Sequence, residues 1–276
     1  MADGFFHSVV PEGETDYADI DTSVAHIARV YDYWLGGKDN FAPDREAGDE
    51  AIAAYPQLVS SVRANRAFLA RTVRYLAGEV GIRQFLDIGT GIPTASNTHE
   101  VAQGIAPEAR VVYADNDPMV LAHARALLRG TPEGRTAYLD ADVRDPDTIL
   151  RSAAEVLDFS QPVAVMLVAI LHFVSEEEDP AGIVTRLMSE MPPGSSLTIS
   201  HVPSDMHATA MKAMGDRLNA LLAQRSTYRS REQVTKLFEG LELVEPGVVP
   251  IQEWRPATPE EANAAAAMWG AVAFKR

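Results

Sequence analysis

The sequence predicts an α/β domain, a mostly parallel sheet with helices on both faces, preceded by a helical cap. Three observations predict it. From Arg83 onward, short apolar runs alternate with amphipathic helical stretches, which is the pattern of a parallel sheet covered on both sides. One of those runs, Val163–Ile170, is apolar throughout, as a central strand buried on both faces requires. Ahead of Arg83 the alternation is missing, and apolar residues recur three and four apart, the helical period.

Residues 1–20 are polar and acidic and read as a flexible tail. A first helix carries Val24, Ile27, Ala28, Tyr31 and Leu35, and Gly36-Gly37 breaks it. A second covers Asp44–Tyr55 and stops at Pro56. A third covers Leu58–Val80, with Val62, Phe68, Leu69, Val73, Leu76 and Val80 as its apolar stripe. The strands that follow are Gln84–Ile88, Ala109–Ala114, Thr136–Leu139, Val163–Ile170 and Ser196–Ser200. Helices Asn97–Gly104, Pro118–Arg129, Asp147–Val156 and Pro180–Met191 lie between them. A long helical stretch runs from His201 to about Gln224, then a helix over Arg231–Phe238 and a strand over Leu241–Val249. The alanine run Ala264–Ala267 reads as the end of a helix, and Met268–Phe274 as the last strand. The chain thus divides into a tail (1–20), a cap or lid (21–80) and a sheet domain (81–276) with a helical insertion near 203–225.

Bulk composition narrows the function. The 276 residues include 46% hydrophobic residues and no cysteine. Disulfides, thiolate metal sites and a cysteine nucleophile are therefore excluded. Lys+Arg number 24 against 39 Asp+Glu, a formal charge of −15, which argues against a nucleic-acid partner and for a small-molecule one. No apolar run is long enough to span a bilayer, and residues 1–11 lack the pattern of a signal peptide. A cytoplasmic protein is expected.

The chemistry is written at strand ends. Phe85–Thr94 reads FLDIGTGIPT: an apolar strand ends in Asp87, then Gly89, Thr90 and Gly91 lead into a helix with Thr94, Ser96 and Asn97 as cap candidates. Glycines there permit a tight turn and the close approach of a ligand to the backbone. The second strand ends in Asp115, Asn116 and Asp117 ahead of Pro118. An acid at that position can accept both hydroxyls of a ribose; Asp115 is the choice, and Asp117 reads as a cap. The third strand ends near Asp140, Asp142 and Val143, where a carboxylate can accept from an adenine amino group, Asp142 in preference to Asp140.

These stretches, with AHIARVYDYWLGGKDNFAPDRE (25–46), VVYADNDPMVLAHARALL (111–128), PVAVMLVAILHFV (162–174) and the WRP at Trp254–Pro256, resemble an S-adenosyl methyltransferase family common in actinobacteria, within the class I S-adenosylmethionine (SAM)-dependent methyltransferases. The resemblance covers nearly the whole chain after residue 20, and YDYWLGGKDNF is its most specific part. It implies a Rossmann-like, seven-stranded sheet with an antiparallel last strand, and SAM as cofactor. It carries Asp87, Gly89 and Gly91 to the SAM loop, Asp115 to the ribose and Asp142 to the adenine, and leaves the acceptor open. One departure stands out: Pro93 occupies the place of the usual third glycine, so Thr94 or Asn97 would take over from backbone amides.

The segment Tyr31–Phe41 has two readings. It is a lid, with Tyr33, Gly36, Lys38 and Asn40 on cofactor or acceptor and aromatic faces toward a sulfonium, or it is a helix C-terminus with buried aromatics. Arg63, Asn65 and Arg66 either reach the SAM carboxylate or are solvated. His172 and His201 follow the fourth and fifth strands, at the end of the sheet where ligands bind; each is a candidate general base or a hydrogen-bonded structural histidine. Tyr33 is a further catalytic candidate. His99, His172, His201 and His207 lack metal-ligand spacing, so no metal is expected. A SAM-dependent methyltransferase is the main reading. A non-catalytic SAM- or nucleoside-binding protein and an NAD(P)-dependent oxidoreductase are the alternatives, the last weakened by Thr94 where G-x-G-x-x-G needs glycine.

Overall fold

The computed structural model describes residues 21–127 and 130–276. The expected tail lies outside the described residues, as does the end of the helix expected over Pro118–Arg129. Three helices come first: α1 (Ile27–Leu35), α2 (Ala42–Ala54) and α3 (Leu58–Arg74). The third expected helix widens after Arg74 into a π-helical turn, Tyr75–Val80, closed at Gly81.

Strands and helices then alternate as β1 (Gln84–Ile88), α4 (Thr98–Ile105), β2 (Arg110–Asp115), α5 (Pro118–Leu127), β3 (Arg135–Asp140), α6 (Pro146–Ala153), β4 (Ala164–Val168), α7 (Pro180–Ser189) and β5 (Ser196–His201). The chain continues with α8 (Ala208–Leu221), α9 (Arg231–Lys236), β6 (Glu242–Leu243), β7 (Val249–Pro250), α10 (Pro259–Ala262) and β8 (Trp269–Phe274). Local chemistry starts the helices. Asp145 accepts from Thr148 N at 3.0 Å ahead of Pro146, and Asp179 accepts from Gly182 N at 2.9 Å ahead of Pro180.

The sheet order is β3-β2-β1-β4-β5-β8-β6, with β7 also on β8. β1 to β5 pair in parallel, and β8 runs antiparallel between β5 and β6. A mostly parallel sheet with its last strand antiparallel is what the resemblance implied. The strand expected over Leu241–Val249 is divided into β6 and β7, because Pro246 lacks an N–H for the ladder and Gly247 turns the chain at φ +84°. The alanine run 264–267 is not helical; it leads without regular secondary structure into β8, its Ala267 N–H held by Ser61 Oγ at 3.0 Å.

One face of the sheet packs Leu86, Val112, Val165 and Leu197 against Ile149, Leu150, Val184 and Leu187 of α6 and α7. The other packs Phe85, Val111, Met166 and Val272 against Phe68, Leu69 and Val73 of α3. A third cluster joins α1 and α2 to α8 through Val30, Trp34, Ala47, Ala51, Met211, Met214 and Leu218, with Leu58 and Val62 from the start of α3. Helix α3 belongs to both layers, so it joins α1 and α2 to the sheet. The WRP segment serves the same joint. Trp254 is fully buried edge-on to Phe68 and Tyr75, at 5.6 and 5.8 Å between ring centres, while Arg71 donates to the Trp254 and Ile251 carbonyls at 3.1 and 2.6 Å.

Candidate functional site

Strands β1, β2 and β4 end in a cleft of about 730 Å³, its open mouth included. Its floor is Asp87, Gly89, Thr90 and Gly91 after β1, Asp115 and Asn116 after β2, and Val168, Ala169, Ile170 and Phe173 after β4. Its roof is His26, Ile27, Ala28 and Tyr31 at α1, with Asn65, Arg66 and Leu69 of α3.

The loop after β1 is built for close approach. Gly89 and Gly91 sit at φ +73° and +65°, where side chains are strained. A Cβ on Gly89 would lie 2.5 Å from Ile170 Cγ1. Gly91 N–H and Asp117 N–H each donate to one oxygen of Asp115 at 3.0 Å. A carboxylate has about four lone-pair sites, so two remain to accept from a diol. Burial pushes the Asp115 carboxyl up against those bonds. Asp117 turns away and caps α5, accepting from Met119 N at 2.9 Å and pairing with His26 at 2.9 Å.

A side slot opens from the cleft between Gly89, Asp115, Asn116, Asp142, Val143 and Ile170. There Asn116 Nδ2 donates to Asp142 Oδ2, and Arg144 N–H to Asp142 Oδ1, both at 2.8 Å. Asp140 is exposed and lines none of it.

The opposite end narrows into a recess between Arg66, Asp87, Thr90, Gly91, Pro93, Asn97, Thr98 and Tyr113. Burial pushes the Asp87 carboxyl up to about 6, although Thr98 Oγ1 donates to it at 2.5 Å. Arg66 donates through Nη2 to the Ala95 and Ser96 carbonyls at 3.2 Å, and its Nε is buried without a partner. A carboxylate and a guanidinium at one recess suit the ammonium and carboxylate of an amino acid. Pro93 costs nothing here, because α4 starts only at Thr98. Asn97 N–H donates to Glu100 at 2.8 Å, and Asn97 Oδ1 accepts from Thr94 N at 3.2 Å. Thr94 Oγ is itself buried without a partner.

A second cavity of about 680 Å³, its open mouth included, continues between α1, α3, α8 and the segment after β4. Ile27, Tyr31, Ala169 and Phe173 line both spaces. Its wall includes His172, which is buried with Nδ1 unpartnered. Burial, with His201 and Arg229 nearby, holds the His172 imidazole well below its ordinary pKa.

A slot lined by Asp115, Asn116 and Asp142, a recess lined by Arg66 and Asp87 and a second cavity thus adjoin at the ends of the parallel strands, and comparison with known proteins decides which cofactor they imply. The sequence profile of the S-adenosyl methyltransferase family matches residues 13–276. The chain belongs to that family. It is 46% identical to a DUF574 family protein from Streptomyces avermitilis, over 93% of this chain and 99% of that one, with a TM-score of 0.90. It is 43% identical to a protein from Thermobifida fusca described as a methyltransferase, over 93% and 97% of the two chains, TM-score 0.86. A SAM-dependent methyltransferase from Anabaena variabilis shares the fold at 12% identity, over 91% and 96%, TM-score 0.51. No curated protein matches the chain. The residues of the cleft fit SAM: Gly91 lines it with open space where a Cβ would stand, so a ligand can approach the backbone, and Arg66 Nε is buried without an acceptor.

In this methyltransferase Tyr31 and Trp34 of the Tyr31–Phe41 segment line the cavities, while Tyr33, Gly36, Lys38 and Asn40 line neither. Tyr33 turns outward, its hydroxyl donating to Asp49 at 2.7 Å and its ring against Gly48. Gly36 ends α1, and it and Lys38 are exposed and line neither cavity. The segment is organised by buried Asp32, which accepts from Asp39 N and Asn40 Nδ2 at 2.9 Å, and by Trp34 Nε1, which donates to the Gly48 carbonyl at 3.2 Å. Those contacts are the ones a helix C-terminus with buried aromatics makes. His201 is likewise structural. Its Nε2 lies 2.9 Å from Arg229 Nη1 and its Nδ1 2.9 Å from the Val202 carbonyl, and burial pushes its pKa down to about 3. With both nitrogens occupied it cannot serve as a base.

Of the three α3 candidates, Asn65 and Arg66 face the cleft and Arg63 is exposed. Tyr31, Ile170, Phe173 and Gln224 were not singled out from the sequence, yet all line the cleft. Tyr31 carried a signal, since it sits in the α1 stripe and is one turn from Ile27. Ala169 carried none; its φ of +60° is a strain of the kind that collects at ligand sites.

Proposed function

We propose that this methyltransferase holds SAM along the cleft with adenine in the Asn116–Asp142–Val143 slot, ribose on Asp115 and the methionine end in the Asp87–Arg66 recess beside Gly89, Thr90, Gly91 and Thr94. The observation that carries this reading is the order of those groups along one continuous cleft. When bound, the cofactor supplies a methyl group on a positively charged sulfur. Asp115 fixes the sugar, Arg66 and Asp87 fix the two charges of the amino acid, and the α1 roof excludes water. The second cavity receives a small-molecule acceptor and orients it toward the junction at Tyr31, Ala169 and Phe173, so positioning supplies much of the rate. His172 is the candidate base when the acceptor carries a proton to be lost. The charge of −15 argues against a nucleic-acid acceptor. No helix among the described residues is long and apolar enough to cross a membrane. We place the enzyme in the cytoplasm, where its cofactor is made, and in an actinobacterium, as with the Streptomyces and Thermobifida relatives.

Titration calorimetry with SAM, its demethylated product S-adenosylhomocysteine and NAD tests the cleft. Tight binding of the first two and none of NAD is expected; NAD binding without SAM would overturn the reading. Turnover of labelled SAM with a metabolite extract tests the transfer itself.

A further inference from the structure

The second cavity has a chemistry of its own. Among the side chains that line it there is no Asp, Glu, Lys or Arg. Its walls are aromatic (Trp34, Tyr55, Phe173, Tyr228) and thioether (Met211, Met214, Met268). Bringing a carboxylate, phosphate or ammonium into such a space without a partner costs several kcal/mol, so a charged acceptor is rejected there. Flat π-faces and polarisable sulfurs instead favour a planar conjugated ring.

The polar groups in the wall are nearly all committed. Ser61 Oγ donates to the Gln57 carbonyl at 3.2 Å and accepts from Ala267 N at 3.0 Å. Ser226 Oγ is 3.2 Å from Asn219 Oδ1. Tyr31 Oη accepts from Asn65 Nδ2 at 3.1 Å, and Asn65 accepts from Ser200 at 2.6 Å. Among the described residues that line the cavity, His172 alone has a buried polar atom with no hydrogen-bond partner. A buried polar group of this kind is costly unless a ligand satisfies it. Its segment is also held in place. Fully buried Arg229 donates to the carbonyls of Leu171 and Val174 at 2.8 Å and pairs with Glu176 at 2.7 Å.

We propose that the acceptor is an uncharged planar arene bearing a hydroxyl, seated in the second cavity with that hydroxyl on the His172 imidazole. This rests on the cleft being the SAM site. In the transfer, the hydroxyl oxygen forms a bond to the methyl carbon as that carbon's bond to sulfur breaks, the electron pair staying on sulfur. The hydroxyl proton passes to His172. One positive charge is present before and after, first on sulfur and then on imidazolium, so the apolar cavity never has to hold two.

2-Naphthol tests the class, by calorimetry on the full chain with S-adenosylhomocysteine present. It is compared with 2-naphthoate, with 2-(aminomethyl)naphthalene as its ammonium ion, and with 2-methylnaphthalene. 2-Naphthol should bind at least about 10-fold more tightly than either charged probe, and roughly 10-fold more tightly than 2-methylnaphthalene. In His172→Phe the second preference should vanish while S-adenosylhomocysteine affinity is kept. Met214→Trp should fill the cavity and abolish 2-naphthol binding alone. Charged probes binding as well as 2-naphthol would overturn the acceptor class, and a hydroxyl preference surviving His172→Phe would overturn the role of His172. Because S-adenosylhomocysteine binding is measured separately, its loss in the unmodified enzyme would overturn the SAM reading, whereas either of the other two results leaves that reading standing.

Discussion

Arg229 Nη1 lies 2.9 Å from His201 Nε2 beneath the segment that carries His172. Sequence position made the two histidines equivalent, each just past a strand. The guanidinium separates them: it needs an acceptor, so His201 is kept neutral and structural, and His172 is left as the histidine with a nitrogen to offer.

Arg229→Met should therefore destabilise the enzyme. It leaves the Leu171 and Val174 carbonyls and His201 Nε2 without their donor, at roughly 1–3 kcal/mol for each buried group left unsatisfied. A loss of about 3 kcal/mol is expected after partial rearrangement, read from urea unfolding. A stability unchanged within error would mean that the segment is held by packing alone.

Asp115→Ala should weaken SAM binding by about 10- to 100-fold, the range for hydrogen bonds to a charged group. Calorimetry measures it. Adenosine, which carries the same ribose, should lose a comparable factor; methionine, which has none, should lose little.

Asp87 links binding to pH. Its carboxyl is held up at about 6 in the free protein by burial, and an ammonium in the recess requires it ionised. SAM affinity should fall as pH drops below about 6, approaching tenfold per unit, and should lose that dependence in Asp87→Asn. Stability moves the other way. A carboxyl whose folded pKa is raised binds more protons folded than unfolded, so its contribution is greatest at low pH and is lost as pH rises from the unfolded value through about 6. Asp87→Asn should thus be more stable than the parent at pH 7.5 by thermal melting, while binding SAM less well.

Tyr33→Phe and Lys38→Ala should leave SAM affinity within about twofold, since both side chains lie outside the cleft and surface changes are usually small. Tyr31→Ala should lower it at least tenfold, because it opens the roof. Equal effects at 31 and 33 would contradict the direction in which α1 faces.

Gly89→Ala should fold poorly or lose SAM binding. It combines a left-handed backbone at φ +73° with a Cβ 2.5 Å from Ile170, together about 2 kcal/mol or more. Adding Ile170→Ala should recover stability in part, the backbone strain remaining.

The sheet and the residues at the β2 end of the cleft were legible in the sequence because each rests on local rules. Period and turn chemistry located β1 to β5, and Asp115 and Asn116 follow from standing at the tip of β2. What escaped were contacts set by three dimensions. α1 presents Tyr31 to the cleft and Tyr33 to α2, a choice made by the buried Asp32 and Trp34 anchors rather than by composition. Arg63 and Arg66 look alike in sequence, and only the rotation of α3 sends one inward. The division of the sixth strand turned on Pro246 and Gly247, and Ala264–Ala267 had helical propensity that the irregular lead into β8 overrode.

Ile27, Tyr31, Ala169 and Phe173 border both cavities where they meet. Whatever occupant fixes Tyr31 and Phe173 from one side spares the other occupant that entropy. Thermodynamic reciprocity then makes the coupling symmetrical: the factor by which cofactor tightens acceptor is the factor by which acceptor tightens cofactor. Ile170 continues the lining of the first cavity to the loop at Gly89, so a substitution among the shared residues that reshapes one space also reshapes the other.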